Sequence, residues 1–135
     1  MAMSPRLFDA EAVRAALPFD RLIAGLRAAF AEGADVPLRT WHDMGRGALL
    51  LLMPAWRPDG VFGVKILSMF PDNGARGLPA VSSTYLLCDG ETGAHLAILD
   101  GAELTARRTA AASALAGDFL ARPDATRLLI VGSGE

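Results

Sequence analysis

Three cations stand among apolar neighbours: Arg39 in VPLRT, Lys65 in GVKILSMF and Arg108 in LTARRTAAASALA. Lys65 is flanked by Val64 and Ile66. Its ammonium either snorkels from an edge strand, where lysine also blocks edge pairing, or reaches a polar cavity. In a cavity it binds a carboxylate or passes a proton to a reacting group. Arg108 falls on one helical stripe with Leu104, Ala111, Leu115 and Phe119. A guanidinium facing a core needs an anion, because an unpaired buried charge is very costly. That anion is either a protein carboxylate or a ligand carboxylate or phosphate, both of which fit arginine's flat fork. The same spacing turns Arg107 away from the stripe and toward solvent. Arg39, a loop arginine after a proline, carries almost no signal alone.

Other residues point to less. His42 and His95 lie far apart with no paired carboxylate motif, so they suggest neither a metal site nor a triad. Cys88 is the single cysteine, which excludes an internal disulfide and a cysteine metal cluster. Near the C-terminus, LLIV runs into Gly132-Ser133-Gly134. A buried strand entering a glycine turn is how a dinucleotide-binding unit begins, although a lone GxG is often only a turn.

The elements that must position these groups follow from local signals. Asp9 caps a short helix through Leu17, ended by Pro18. A second helix runs from Asp20 to about Glu32, with Leu22, Ile23, Leu26 and Phe30 as its apolar stripe and Gly33 closing it. Ala34–Gly47 reads as loop with a short strand. Ala48–Pro54 reads as a buried strand and Val61–Phe70 as a second. The segment PDNGARGLP reads as a long polar loop. AVSSTYLLC and AHLAILD flank DGETG as a hairpin. A long helix spans about Ala102 to Ala121, capped by Asp100, and RLLIV is a final strand. Strands in the middle and helices at both ends make an α+β domain with a mixed sheet, leading into an α/β unit.

The 135 residues fit one domain at most. With 13 basic and 15 acidic side chains the net charge is −2, no footprint for nucleic acid or an anionic membrane. No apolar run approaches the ~20 residues of a membrane span. The N-terminus is no signal peptide, so a cytoplasmic location is expected. A hydrophobic content of 52% is high for so short a chain and implies burial against another domain or a second subunit, with a homodimer expected.

Taken in order, VPLRT, LLLLMPAW, GVKILSMFPDN, GLPAVSSTYLLCDGETGAHLAILDG, ELTARRTAAASALAGDFLARPD and LLIVGSGE resemble the ornithine cyclodeaminase/mu-crystallin family. The resemblance covers roughly residues 5 to 135. It implies a two-domain subunit in which residues 1–126 form the substrate-binding and dimerisation domain. Residues 127–135 would then be the first strand and glycine turn of a Rossmann domain for NAD or NADP, cut off at that point. By motif, Arg39, Lys65 and Arg108 match the three cations around the substrate carboxylate, and Lys65 also serves the chemistry. Thr109, Gly132 and Gly134 match positions at the cofactor phosphates.

The implied reaction lies at the Cα–N bond of an amino or cyclic imino acid. It is either ornithine to proline plus ammonia or reduction of a ring such as pyrroline-2-carboxylate. Alanine-type dehydrogenation and a non-catalytic binding or dimerisation module are the alternatives. The 135 residues alone would lack the helix N-terminus that a pyrophosphate needs and are expected to be inactive. Two departures stand out. Val81, Ser82 and Ser83 replace a glutamine or histidine frequent in the family, which leaves the substrate open. Glu135 replaces a small residue.

Overall fold

A computed structural model describes residues 4–58 and 60–132. Its elements are β1 (Arg6–Phe8), α1 (Ala10–Ala16), α2 (Phe19–Glu32), β2 (Thr40–Asp43), β3 (Leu49–Trp56), β4 (Val61–Met69), a 3-10 helix (Pro71–Arg76), β5 (Val81–Asp89), β6 (His95–Asp100) and α3 (Gly101–Leu120). The strands form one sheet in the order β1-β6-β5-β4-β3-β2. Neighbours run antiparallel except β1 and β6, which are parallel. The α+β architecture with a mixed sheet is therefore as the sequence implies.

Local chemistry sets the helix ends. The Asp9 carboxylate accepts from the Ala12 N–H at 2.9 Å and starts α1. Gly33 ends α2 at φ +79°, a left-handed conformation that costs glycine little. Asp100 accepts from the Glu103 N–H at 2.8 Å and starts α3 directly from the last residue of β6. Gly101 then lies against Ser83 of β5, whose carbonyl carbon is 2.5 Å from where a Cβ would stand. Only glycine lets α3 begin so close to the sheet.

The helices cover one half of the sheet. α1 and α3 pack over β6, α3 also packs over β5, and α2 packs on α3, whereas no helix has more than marginal contact with β2, β3 or β4. The buried apolar residues are accordingly few and include Val13, Cys88, Ala97, Ala111 and Leu115.

Several expectations need correction. The expected strand Ala48–Pro54 is observed as β3, but from Leu49 onward it is half-exposed, because no helix lies on β3, and only Ala48 before it is buried. Phe30, on the expected inner stripe of α2, is 70% exposed. The polar loop after β4 contains a 3-10 turn started by Pro71, and the three-residue β1 has no counterpart among the expected strands. Residues 127–131 form no strand: they pair with no neighbour, and Leu128–Val131 are strongly exposed. A strand needs a partner for its N–H and C=O groups, and no other segment among the described residues lies beside this one.

Candidate active site

β4 holds Lys65 in the centre of the sheet, opposite Met53 on β3 and Tyr85 on β5. This excludes the edge-strand reading, since β4 is paired on both sides. The Lys65 ammonium donates to Thr105 Oγ1 in the second turn of α3. Thr105 in turn donates to the Gly101 carbonyl at 2.5 Å. The lysine stem is thus held between sheet and helix, and its head lies where the two diverge. Burial, and secondly the positive charge of Arg108, pushes the Lys65 pKa below its usual 10.5.

Arg108 lies on the helical face that carries the buried Ala111 and Leu115, yet it is itself exposed. Further along α3 the stripe is buried at Ala111 and Leu115, whereas at Arg108 it is exposed. Its neighbour corrects the sequence expectation. Arg107 does not point to solvent: its side chain is 13% exposed. It donates to the Leu17 carbonyl at 2.8 Å, stacks 4.2 Å from the Phe19 ring and stands 3.7 Å from Glu103. Glu103 is also gripped by Arg14 through two hydrogen bonds of 3.0 and 2.8 Å, and this pairing holds its carboxyl below the usual range. Arg107 therefore fastens α3 to the α1–α2 junction.

Arg39 immediately precedes β2 and is exposed. β2 pairs Thr40 with Leu52, so the same register carried one residue outward sets Arg39 opposite Met53. Arg39, Met53, Lys65 and Tyr85 then form one row across the sheet. Among the described residues neither Arg39 nor Arg108 has an ion-pair partner. Lys65 and Arg108 stand near one another with no protein carboxylate paired to either among the described residues, an arrangement suited to a bound carboxylate.

The cofactor candidates are not gathered here. Thr109 is exposed on α3. Gly132 has φ +104°, a backbone angle open to glycine, but lies beyond the end of α3. Gly134 falls outside the described residues. Two residues escaped the sequence reading. Thr105 had a signal, since it lies three residues before Arg108 on one helix. Tyr85 had none, because only the strand register brings it beside Lys65. Its ring lies over Gly63, where a Cβ would collide with the hydroxyl, and burial raises the phenol's pKa.

A small hollow of about 160 Å³ adjoins Gly63 and Tyr85, and larger ones lie further off. One of about 360 Å³ sits between the β2–β3 turn and the 3-10 helix, lined by Arg46, Phe70 and Arg76 among others. Another of about 500 Å³ lies between α2 and α3. The Lys65 face is open, so any substrate there needs a further wall. No group of His, Cys, Asp and Glu among the described residues is placed to hold a metal ion, and no helix is long and apolar enough to cross a membrane.

Comparison with known proteins supplies the context. A Schizosaccharomyces pombe protein is 44% identical over 142 residues, covering 100% of this chain and 43% of its own length. The Delta(1)-pyrroline-2-carboxylate reductase of Colwellia psychrerythraea is 33% identical over 136 residues, covering 96% of this chain and 43% of its own length. Among solved structures, the Delta(1)-pyrroline-2-carboxylate reductase of Thermococcus litoralis, in complex with NADH and L-proline, superposes with a TM-score of 0.77 at 36% identity. The match covers 88% of this chain and 39% of that one. An archaeal alanine dehydrogenase dimer with bound NAD gives a TM-score of 0.77 at 28% identity over 90% of this chain and 39% of that one. The chain thus spans about two-fifths of the length of the proteins it matches. The model of the ornithine cyclodeaminase/mu-crystallin family matches residues 7–135, and the chain belongs to that family.

Proposed function

We propose that these residues are the substrate-binding and dimerisation domain of an NAD(P)-dependent enzyme acting at the Cα–N bond of an amino or cyclic imino acid. Pyrroline-2-carboxylate reduction and conversion of ornithine to proline plus ammonia are the two reactions considered. The observation that carries the reading is the Lys65 ammonium, held by Thr105 and beside Arg108, on the row that Arg39 enters. Arg39 and Arg108 take the substrate carboxylate. Lys65 completes that grip and, with its lowered pKa, exchanges a proton with the neighbouring nitrogen or carbon. Residues following 126 would continue into the cofactor domain. There Gly132, whose left-handed φ suits a glycine turn, and Gly134 would approach the cofactor pyrophosphate, with Thr109 near its phosphates. The bound nicotinamide would supply or accept the hydride.

The uncovered faces of β2, β3 and β4 support a homodimer through this half of the sheet. Trp56, Phe62 and Ile66 are exposed on the sheet face opposite Lys65, an apolar load that suits a partner. A reducing compartment such as the cytoplasm suits the single free, buried Cys88.

Steady-state kinetics of the full-length protein test the reading. Lys65→Met keeps the apolar stem and removes the charge. It is expected to lower turnover of the accepted substrate by about 100-fold or more, the usual range for losing an acid–base group, with melting temperature retained. Near-wild-type turnover in this variant would remove Lys65 from the chemistry.

A further inference from the structure

We infer that Thr105 is a positioning residue that aims the Lys65 proton. Its own hydrogen is committed to the Gly101 carbonyl, so its oxygen only accepts, and the lone pair that Lys65 uncovers on giving up a proton is turned away from α3 toward the substrate. The inference rests on the function proposed above and adds the residue that orients its acid–base group.

Chemistry sets the direction of both hydrogen bonds. A carbonyl only accepts, so the Thr105 hydroxyl donates to Gly101, at 2.5 Å. A lysine ammonium only donates, so the same oxygen accepts from Lys65. Ser113 makes the same bond to the Thr109 carbonyl at 3.0 Å on an exposed stretch of α3, so back-bonding alone means little. At Thr105 a cation sits on the oxygen. When Lys65 gives its proton to the substrate nitrogen or carbon, the N–H bond breaks and its electron pair stays on Nζ. Thr105 has no second hydrogen to offer that pair. It continues to hold one of the remaining N–H groups, and the pair faces the open side, where the substrate lies.

Packing fixes the arrangement. Lys65 stands on the same strand face as Leu67, which pairs with Ser83. Gly101 lies against the Ser83 backbone, and Thr105 follows one turn along α3. The path from Lys65 through Leu67, Ser83, Gly101 and Thr105 closes on Lys65 again, which holds the hydroxyl in place relative to the strand that carries the amine. Tyr85 of β5 and Arg108 of α3 are the titratable neighbours of that amine. The Tyr85 hydroxyl is turned over Gly63, and a guanidinium offers no acceptor.

Steady-state kinetics of the full-length protein test this, with NADH and pyrroline-2-carboxylate, or with NAD and ornithine if only that is converted. Thr105→Val keeps the shape and removes the acceptor. Its kcat is expected to fall about 10- to 100-fold, the effect of one hydrogen bond to a charged group. KM should change less than about threefold, because Arg108 still binds the carboxylate. The alkaline fall in kcat/KM is expected at lower pH, since the ammonium loses an acceptor. Thr105→Ser, which restores the hydroxyl, is expected to restore both. Added to Lys65→Met, Thr105→Val is expected to slow turnover little further, because it acts through the amine. A lower melting temperature with unchanged kcat and pH profile, no rescue by serine, or a full additional loss in the double variant overturns the inference and leaves Lys65 in its role. If Thr105→Val does not fold, Thr105→Ala carries the same comparison. A wild-type protein that converts neither substrate instead overturns the proposed function itself.

Discussion

The half of the sheet formed by β1, β6 and β5 lies under helices, whereas β4, β3 and β2 carry none. In the covered half, charges serve packing. Arg107 joins the Leu17 carbonyl, the Phe19 ring and Glu103, and Arg14 closes the same cluster. By contrast, Lys65, Arg39 and Arg108 have no ion-pair partner among the described residues. Arg39 and Arg108 are exposed and Lys65 leans on a threonine hydroxyl. Arg107 and Arg108 are adjacent in sequence and fall on opposite sides of this boundary. The difference separates residues that hold the fold from residues left without a structural partner, and it does so without reference to residue type.

Substitutions at the seam between the halves have the largest expected effects. Gly101→Ala drives a Cβ into the Ser83 backbone, which cannot swing aside. A loss of about 3 kcal/mol, the top of the overpacking range, is expected in urea denaturation. An unchanged midpoint would mean that α3 does not sit on β5 as described. Gly63→Ala meets only the Tyr85 side chain, which can rotate. A smaller loss of about 1–2 kcal/mol is expected there.

A subtler measurement uses pH. The Lys65 pKa lies below 10.5 through burial and the Arg108 charge. A protonated Lys65 is the form that holds a carboxylate and donates a proton. The alkaline fall in kcat/KM of the full-length enzyme is therefore expected below pH 10.5. A residual-activity variant, Arg108→Gln, should move that fall upward, because one of the two causes is removed. The stability sign is opposite to that of a paired lysine. The folded state disfavours the charged amine, so the penalty is present at low pH and is relieved as pH rises from the folded pKa toward 10.5. A fall unmoved in the variant would show that Arg108 does not act on Lys65.

Much of the fold was legible because its signals are local. Asp9, Gly33 and Asp100 mark helix ends by hydrogen bonding and backbone freedom, and DGETG between two apolar runs marks the β5–β6 hairpin. The parallel pairing of Arg6–Phe8 with Ala97–Leu99 was not legible, since it joins segments far apart in the chain and three residues show no period. Within the site, the spacing of Leu104, Arg108, Ala111 and Leu115 does put Arg108 on the buried face's azimuth. It cannot say what lies opposite. The stripe is buried at Ala111 and Leu115 but exposed at Arg108, while the side bearing Arg107 meets the α1–α2 junction. The wheel gives direction, and tertiary structure decides whether that direction is core, junction or cleft. The RLLIV segment fails for a related reason, because an apolar run becomes a strand only beside another strand.

Alanine substitutions at Arg107 and Arg108, each followed by melting temperature and by the dissociation constant for L-proline in the full-length, NAD-loaded protein, test the division most directly. Arg108→Ala is expected to weaken binding about 10- to 100-fold, the loss of a charge-assisted hydrogen bond, with melting temperature unchanged. Arg107→Ala is expected to lower the melting temperature and leave affinity within about twofold, an order of magnitude below the effect at Arg108. Equal effects of the two changes on affinity, or a loss of stability at Arg108 without a loss of binding, would contradict the account.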